Sequence, residues 1–335
     1  MTNKSLIWNN RPFLLSPAGK DYLWGGQRLK NDFAKSIDME LLAETWECST
    51  HPDGPSIVAS GEFSGKTLAE VLRIHPEYLG SNYEASGELP ILVKFIDAKQ
   101  DLSVQVHPDD AYAQINENGS LGKTEMWYVL DASRDSKLVY GFKHDINKKV
   151  LCDSLKNGTV EKYLQKVPIA KDDVFLIEPG KVHAIGAGAL VVEVQENSNV
   201  TYRMFDYNRK DKNGEKRELH IEKALDVVDL KGSSEPRQPV RVLKYRRGYG
   251  SELLCRCKYF QVERLLINTE RFREMALFET GSTSFEVLLC ISGCGSLFDC
   301  EGNFINFFKG DCIFLPALSA LVKIHGKAQM LKISC

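Results

Sequence analysis

Asp101–Asp110 reads DLSVQVHPDD, and its polarity alternates with the period of a β-strand. Ser103, Gln105 and His107 fall on one face, and Leu102, Val104 and Val106 on the other. Three successive polar side chains on one face either meet solvent or serve a site, because burying them unpaired is costly. Pro108 has no N–H to give to a ladder, so the strand is predicted to end at His107.

Outward from this stretch, further strands are predicted. Pro90–Ala98, PILVKFIDA, is a dense apolar strand. Gly122–Leu130, GKTEMWYVL, is rich in Trp, Tyr and Val and carries Lys123 and Glu125 on one face. Val174–Ile177 is a buried strand, Glu178–His183 a turn returning to a strand start, and Leu190–Val194 another strand. A His, a Glu and a second His on successive barrel strands can converge inside it. His107, Glu125 and His183 are a good donor set for zinc or another divalent first-row metal, with a coordination position left open for water or substrate. Gln105, on the face of His107, is either a direct ligand or a neighbour that orients a water.

The chain has 335 residues, of which 43% are hydrophobic and 26% charged, ordinary proportions for a globular protein. A net charge of -2 argues against a broad nucleic-acid surface, and no apolar run approaches a membrane span. The start, MTNKSLIWNN, lacks an apolar signal core, which leads to the expectation of a cytoplasmic protein. The nine cysteines include no CxxC pair and are expected to be free thiols. Short helices are predicted over Lys66–His75, over Asp109–Asn118, twice within Asp145–Leu164, and over Glu218–Val228. Lys231–Val240, KGSSEPRQPV, has the composition of a linker. Beyond it, Phe260–Leu266, Ser284–Ile291, Gly295–Phe298 and Cys312–Leu315 read as short strands of a smaller all-β unit.

Asp173–Ala184, DVFLIEPGKVHA, resembles the second motif of the cupin superfamily. Taken together, LPILVKFIDAKQDLSVQVHPDD, GKTEMWYVL, EPGKVHAIGAG and VVEVQENSNVTYR resemble the type I mannose-6-phosphate isomerases, with YLWGG and AETWECSTHPDGPS fitting the same family nearer the N-terminus. The resemblance runs in order over residues 10–230 and implies a zinc-dependent interconversion of mannose 6-phosphate and fructose 6-phosphate, with one Zn2+ per chain. It places the metal ligands at Gln105, His107, Glu125 and His183, the active-site arginine at Arg203, an active-site acid at Glu193 and a lysine at Lys123. Ser103 takes the place of a serine near the substrate phosphate. A tyrosine found in longer members is replaced by Ile185, and the short helices near 145–164 stand where those members carry a large helical domain, so the chain resembles a compact form. Lys309–Val322 has the shape of the same cupin turn, with Pro316 in the place of Pro179 and Ala320 in the place of His183.

The expected fold is therefore mainly β, with two cupin-like jelly-roll barrels. Residues 1–235 form a catalytic domain with the helical insertion, and residues 240–335 a smaller domain without a metal site. Aldose–ketose isomerisation needs a proton-transfer group and stabilisation of an enediolate. Arg203 keeps its charge and suits stabilisation; Glu193 or a water at the metal are the candidates for moving the proton. Lys123, Arg203 and Arg209 are the cationic candidates for the phosphate, with Ser103 as a neutral donor. The partner expected is a small phosphosugar, without nucleic acid or membrane, and the chain is expected to be a monomer or a weak homo-oligomer. Three alternatives stay open: an isomerase of another phosphosugar, a sugar-binding or regulatory cupin without turnover, and an iron oxygenase.

Overall fold

The computed structural model describes residues 10–335, except 212, 235, 237, 239 and 271–273. The start of the chain at residues 1–9 and part of the linker at 235, 237 and 239 thus lie outside the described residues. The structure is mainly β, with three antiparallel sheets among the described residues.

Two of them face each other around the opening stretch. A six-stranded sheet runs Val174–Ile177, Glu125–Ala132, Ala189–Glu196, Ile91–Asp97, Glu44–Cys48, Ala18–Lys20. A five-stranded sheet runs Tyr202–Phe205, Val104–Val106, His183–Ile185, Lys137–Phe142, Leu164–Pro168. The alternation of the five-stranded sheet has a reason on each side. Its outward residues Val104, Val106, Val139, Phe142, Ala184 and Met204 are buried against Leu151, Val160 and Ala224 from the short helical segments. The helix that carries Leu151 starts at a polar cap, Asn147 accepting from Val150 N at 2.9 Å, and the separate helix Asp110–Asn116 starts at Asp109, which accepts from Tyr112 N at 2.8 Å. The helical layer shields the outer face, so the inner face is free to carry polar groups toward the opposite sheet.

The third sheet holds ten strands among the described residues. Its core combines Leu265, Phe278, Leu288, Phe307, Ile313, Val322 and Met330. Two strands from the other end of the chain join it: Phe13–Ser16 pairs with Cys312–Leu315 on one side and with Ile57–Val58 on the other. Phe314 stacks against both Phe13 and Phe285, each at 5.3 Å between ring centroids.

Several sequence expectations need correction. Only Val104–Val106 is strand, and Leu102 does not share the outward face of Val104 and Val106. It packs instead with Trp24, Trp127 and Ile185 in the inner core, because the chain reaches the strand through an irregular stretch. Ser284–Ile291 and Gly295–Phe298 are one strand, Glu286–Phe298, with a bulge between Cys290 and Ser292. Gly293 there marks a close approach and not a turn: a Cβ on it would lie 2.0 Å from the Lys327 carbonyl oxygen. The strands Lys137–Phe142, Leu164–Pro168 and Val322–Ser334 were absent from the sequence reading. The described part of Lys231–Val240 is tied down rather than loose: Ser233 N donates to the Phe142 carbonyl at 2.8 Å, and Gln238 accepts from Val174 N at 2.7 Å.

Candidate metal centre and adjoining cavity

Cross-strand register brings the polar faces together. On the five-stranded sheet, His183 and Arg203 both stand opposite Gln105. On the six-stranded sheet, Trp127, Glu193, Lys94 and Trp46 form one transverse row over four strands, and Glu125 stands opposite Gln195 in the next. The space between the two polar rows is a cavity of about 340 Å³ lined by Tyr22, Trp24, Glu44, Lys94, Ser103, Gln105, Lys123, Glu193, Arg203, Arg217 and His220, among others. That volume is within the range of small-molecule sites.

His107, Glu125 and His183 lie fully buried, with one ligand atom from each within 4.8 Å of the others. His183 Nε2 is 3.0 Å and His107 Nε2 3.4 Å from Glu125 Oε1, and the two Nε2 atoms are 3.1 Å apart. Each imidazole is pinned from behind. His107 Nδ1 lies 2.9 Å from the Val200 carbonyl oxygen, and His183 Nδ1 lies 2.8 Å from that of Lys181. A carbonyl only accepts, so each Nδ1 carries a hydrogen and each Nε2 is turned toward Glu125 and the other ring. Burial, followed by the Lys123 ammonium, pushes His107 down to about 3, which keeps it neutral at ordinary pH. Burial opposes the charge of Glu125, but the Lys123 ammonium, the largest opposing influence, holds the carboxyl well below its usual range. Both Glu125 oxygens lack a hydrogen-bond partner. Two imidazole nitrogens thus converge on a buried carboxylate that has an ammonium beside it but no aligned hydrogen bond, and a divalent cation satisfies all three donors. The donor set of two imidazole nitrogens and one carboxylate suits zinc or another first-row metal.

The other residues singled out in the sequence fall in different places. Gln105 Nε2 is 3.3 Å from His183 Nε2; turning the amide about its axis puts the oxygen there instead. Lys123 Nζ sits at the centre itself, 3.3 Å from Glu125 Oε2 and 3.4 Å from His107 Nε2. Arg203 Nε donates to Ser103 Oγ at 3.3 Å, and its Nη1 to the Glu218 carbonyl at 2.8 Å. Glu193 is bound at both oxygens, to Lys94 Nζ at 2.9 Å and to Trp127 Nε1 at 2.8 Å. Arg209 does not line the cavity. Its guanidinium is bonded to Asp206 and to the Asp101 carbonyl, and it lies over the Tyr207 ring.

Lys94, Glu44, Tyr22, Arg217 and His220 also line the cavity and were not among the sequence candidates. Lys94 did leave a signal: it is the one cation in the buried run Ile91–Asp97, where a lysine needs a charged partner. Arg217 left none, because it reaches the cavity through an irregular loop, held by Asp206 at 2.6 and 2.8 Å.

A family model for phosphomannose isomerase type I, catalytic domain, matches residues 13–131. The chain is 35% identical over 323 residues to the mannose-6-phosphate isomerase ManA of Bacillus subtilis, covering 95% of this chain and 97% of that one. It is 40% identical over 219 residues to a mannose-6-phosphate isomerase of Streptococcus mutans, covering 65% and 68%. A crystal structure of the mannose 6-phosphate isomerase from Bacillus subtilis superposes with a TM-score of 0.87 at 34% identity, covering 97% and 99%.

Proposed function

The chain belongs to the type I phosphomannose isomerases, and from that premise we propose that it interconverts mannose 6-phosphate and fructose 6-phosphate through an enediolate. The observation that carries this reading is the pair of pinned imidazoles facing a buried carboxylate at the edge of a polar cavity. His107, Glu125 and His183, with Gln105 beside them, would hold one zinc ion. When bound there, zinc supplies Lewis-acid polarisation of sugar oxygens and fixes their orientation.

The protein's own groups have separable tasks. Glu44 and Glu193 are the acids that line the cavity outside the donor triad, and Glu193, on the strand paired directly with the one that carries Glu125, is the group proposed to hold or move the proton between C1 and C2. Burial raises its proton affinity, which suits a group that must take up a proton and release it. Arg203, charged at any working pH, faces the cavity beside Ser103 and stabilises negative charge on the enediolate or phosphate. Arg217 supplies a second guanidinium from the same wall, in the position that Arg209 does not occupy. Lys123 adds positive charge next to Glu125.

The test is a coupled assay of purified protein with mannose 6-phosphate, before and after a chelator, with zinc added back. Turnover that is lost with the chelator and regained with zinc is the expected result. Full turnover in metal-free protein overturns the metal role, and turnover of a different aldose phosphate in preference to mannose 6-phosphate overturns the substrate.

A further inference from the structure

We propose that Ser198 is a positioning residue of the metal centre, acting through the Val200 carbonyl that orients His107; this rests on the reading of His107, Glu125 and His183 as metal ligands given above. The two imidazoles have anchors of different kinds. His183 Nδ1 meets the Lys181 carbonyl, two residues back along its own turn. His107 Nδ1 meets the Val200 carbonyl, 93 positions away. Val200 stands between the strands Ala189–Glu196 and Tyr202–Phe205, where no ladder fixes the direction of a carbonyl. Asn199 beside it is exposed, and Val200 and Thr201 are half-buried. Asn199 and Thr201 line both the cavity and an open polar pocket of about 460 Å³, so this stretch has space on two sides.

Ser198 supplies the fixing that packing does not. It is 3% exposed, and its hydroxyl works in both senses: Oγ accepts from Val200 N at 3.3 Å and donates to the Leu121 carbonyl at 2.9 Å. Its own backbone is held as well, Ser198 N donating to the Glu196 carbonyl at 2.7 Å and its carbonyl accepting from Gln195 Nε2. Leu121 leads along the chain to Lys123, whose N–H donates to the Pro108 carbonyl at 3.1 Å, beside His107. The contacts therefore close a circuit: His107 to Val200, Val200 to Ser198, Ser198 to Leu121, and through Lys123 back to Pro108. Glu125 begins its strand two residues after Lys123. One hydroxyl thus ties the rear of the His107 ring to the segment that leads into the carboxylate. A metal holds a ligand well only where the donor atom is aimed at it, and an outer partner that sets this aim is typically worth 10–100-fold in affinity.

The experiment measures zinc affinity of the full chain by competition with a chromophoric chelator, and ligand geometry by the visible absorption of the cobalt(II)-loaded protein. The proteins are wild type, S198A, S198T and S198V. S198A is expected to bind zinc about 10–100-fold more weakly, with shifted cobalt(II) bands and unchanged circular dichroism. S198T, which keeps the hydroxyl, is expected to stay within about threefold of wild type. S198V has the shape of S198T without the hydroxyl, so it is expected to fall with S198A; this pair carries the test even where S198A does not fold. Wild-type affinity in S198A or S198V overturns the proposal, as does a loss in S198T equal to that in S198V. Weaker binding with unmoved cobalt(II) bands also overturns it, because the ring would then keep its aim. A wild type that binds neither ion overturns the metal centre itself, an outcome distinct from a wild type that binds and variants that match it.

Discussion

Glu196→Gln tests how the third sheet is joined to the strand that carries Glu125. Glu196 is 2% exposed, accepts from Thr124 N at 2.7 Å, and shares a hydrogen bond with the carboxyl of Asp110. Asp110 also accepts from Gly122 N at 3.0 Å and from the Tyr259 hydroxyl at 2.8 Å, and the Lys258 ammonium is 3.6 Å away. With those donors Asp110 keeps the charge, and Glu196 keeps the proton. Burial, with the Asp110 carboxylate adding to it, pushes Glu196 up to about 7 from an ordinary 4.5. Between those two values the folded protein retains a proton that the unfolded chain has released, so stability falls as pH rises through the window. At 1.36 kcal/mol for each tenfold change in proton affinity, the full effect is about 3 kcal/mol as an upper bound. A Gln at this position accepts from Thr124 through its oxygen and donates to Asp110 through its nitrogen at every pH. The assay is urea unfolding at intervals between pH 5 and pH 8. The wild type should lose stability across that range, and the variant should lose far less and exceed the wild type at pH 8. Equal slopes for the two proteins would refute the placement of the proton.

Glu125→Gln removes the charge of the donor triad. Divalent ion retained after gel filtration, measured by elemental analysis, should fall by more than the roughly 10–100-fold typical of losing an outer partner, with the circular dichroism unchanged; retained ion at wild-type levels would contradict the assignment. Arg217→Met should raise KM for the phosphosugar roughly tenfold, the worth of one charge-assisted hydrogen bond, and Arg209→Met should change it much less; equal effects would place both arginines alike. Phe314→Ala, between two stacked rings, should cost about 3–5 kcal/mol in chemical denaturation, and a cost under about 1 kcal/mol would show that the stack is not central to the third sheet.

The polar face of Ser103, Gln105 and His107 was legible because strand periodicity carries it, and His107, Glu125 and His183 do meet. Leu102 broke the pattern because periodicity holds only inside a regular strand, and that strand begins at Val104. The register behind the Trp127–Glu193–Lys94–Trp46 row could not be read, since it joins four strands from positions 46 to 193 and no local signal links them. Val322–Ser334 could have been found: Val322, Ile324, Ala328 and Met330 are buried, while Lys323, His325 and Lys327 alternate with them outside. Its charged residues masked a half-buried strand, since alternation and not mean polarity identifies one. Phe13–Ser16 was hidden for another reason: four residues show no period, and their partner lies some three hundred positions on.

That pairing has a consequence for how the chain is made. Ribosomes add about 5–20 residues per second, so the interval between the emergence of Leu15 and of Cys312 is on the order of 15–60 s. Through that interval Phe13 and Leu15 have no Cys312–Leu315 strand to pair with, and the apolar edge they form is open to chaperones and proteases. A product terminated before Cys312 keeps that edge exposed for as long as it exists. A chain still short of Cys312 thus carries an unpaired apolar strand near its start, although His107, Glu125 and His183 are all synthesised well before the sheet closes.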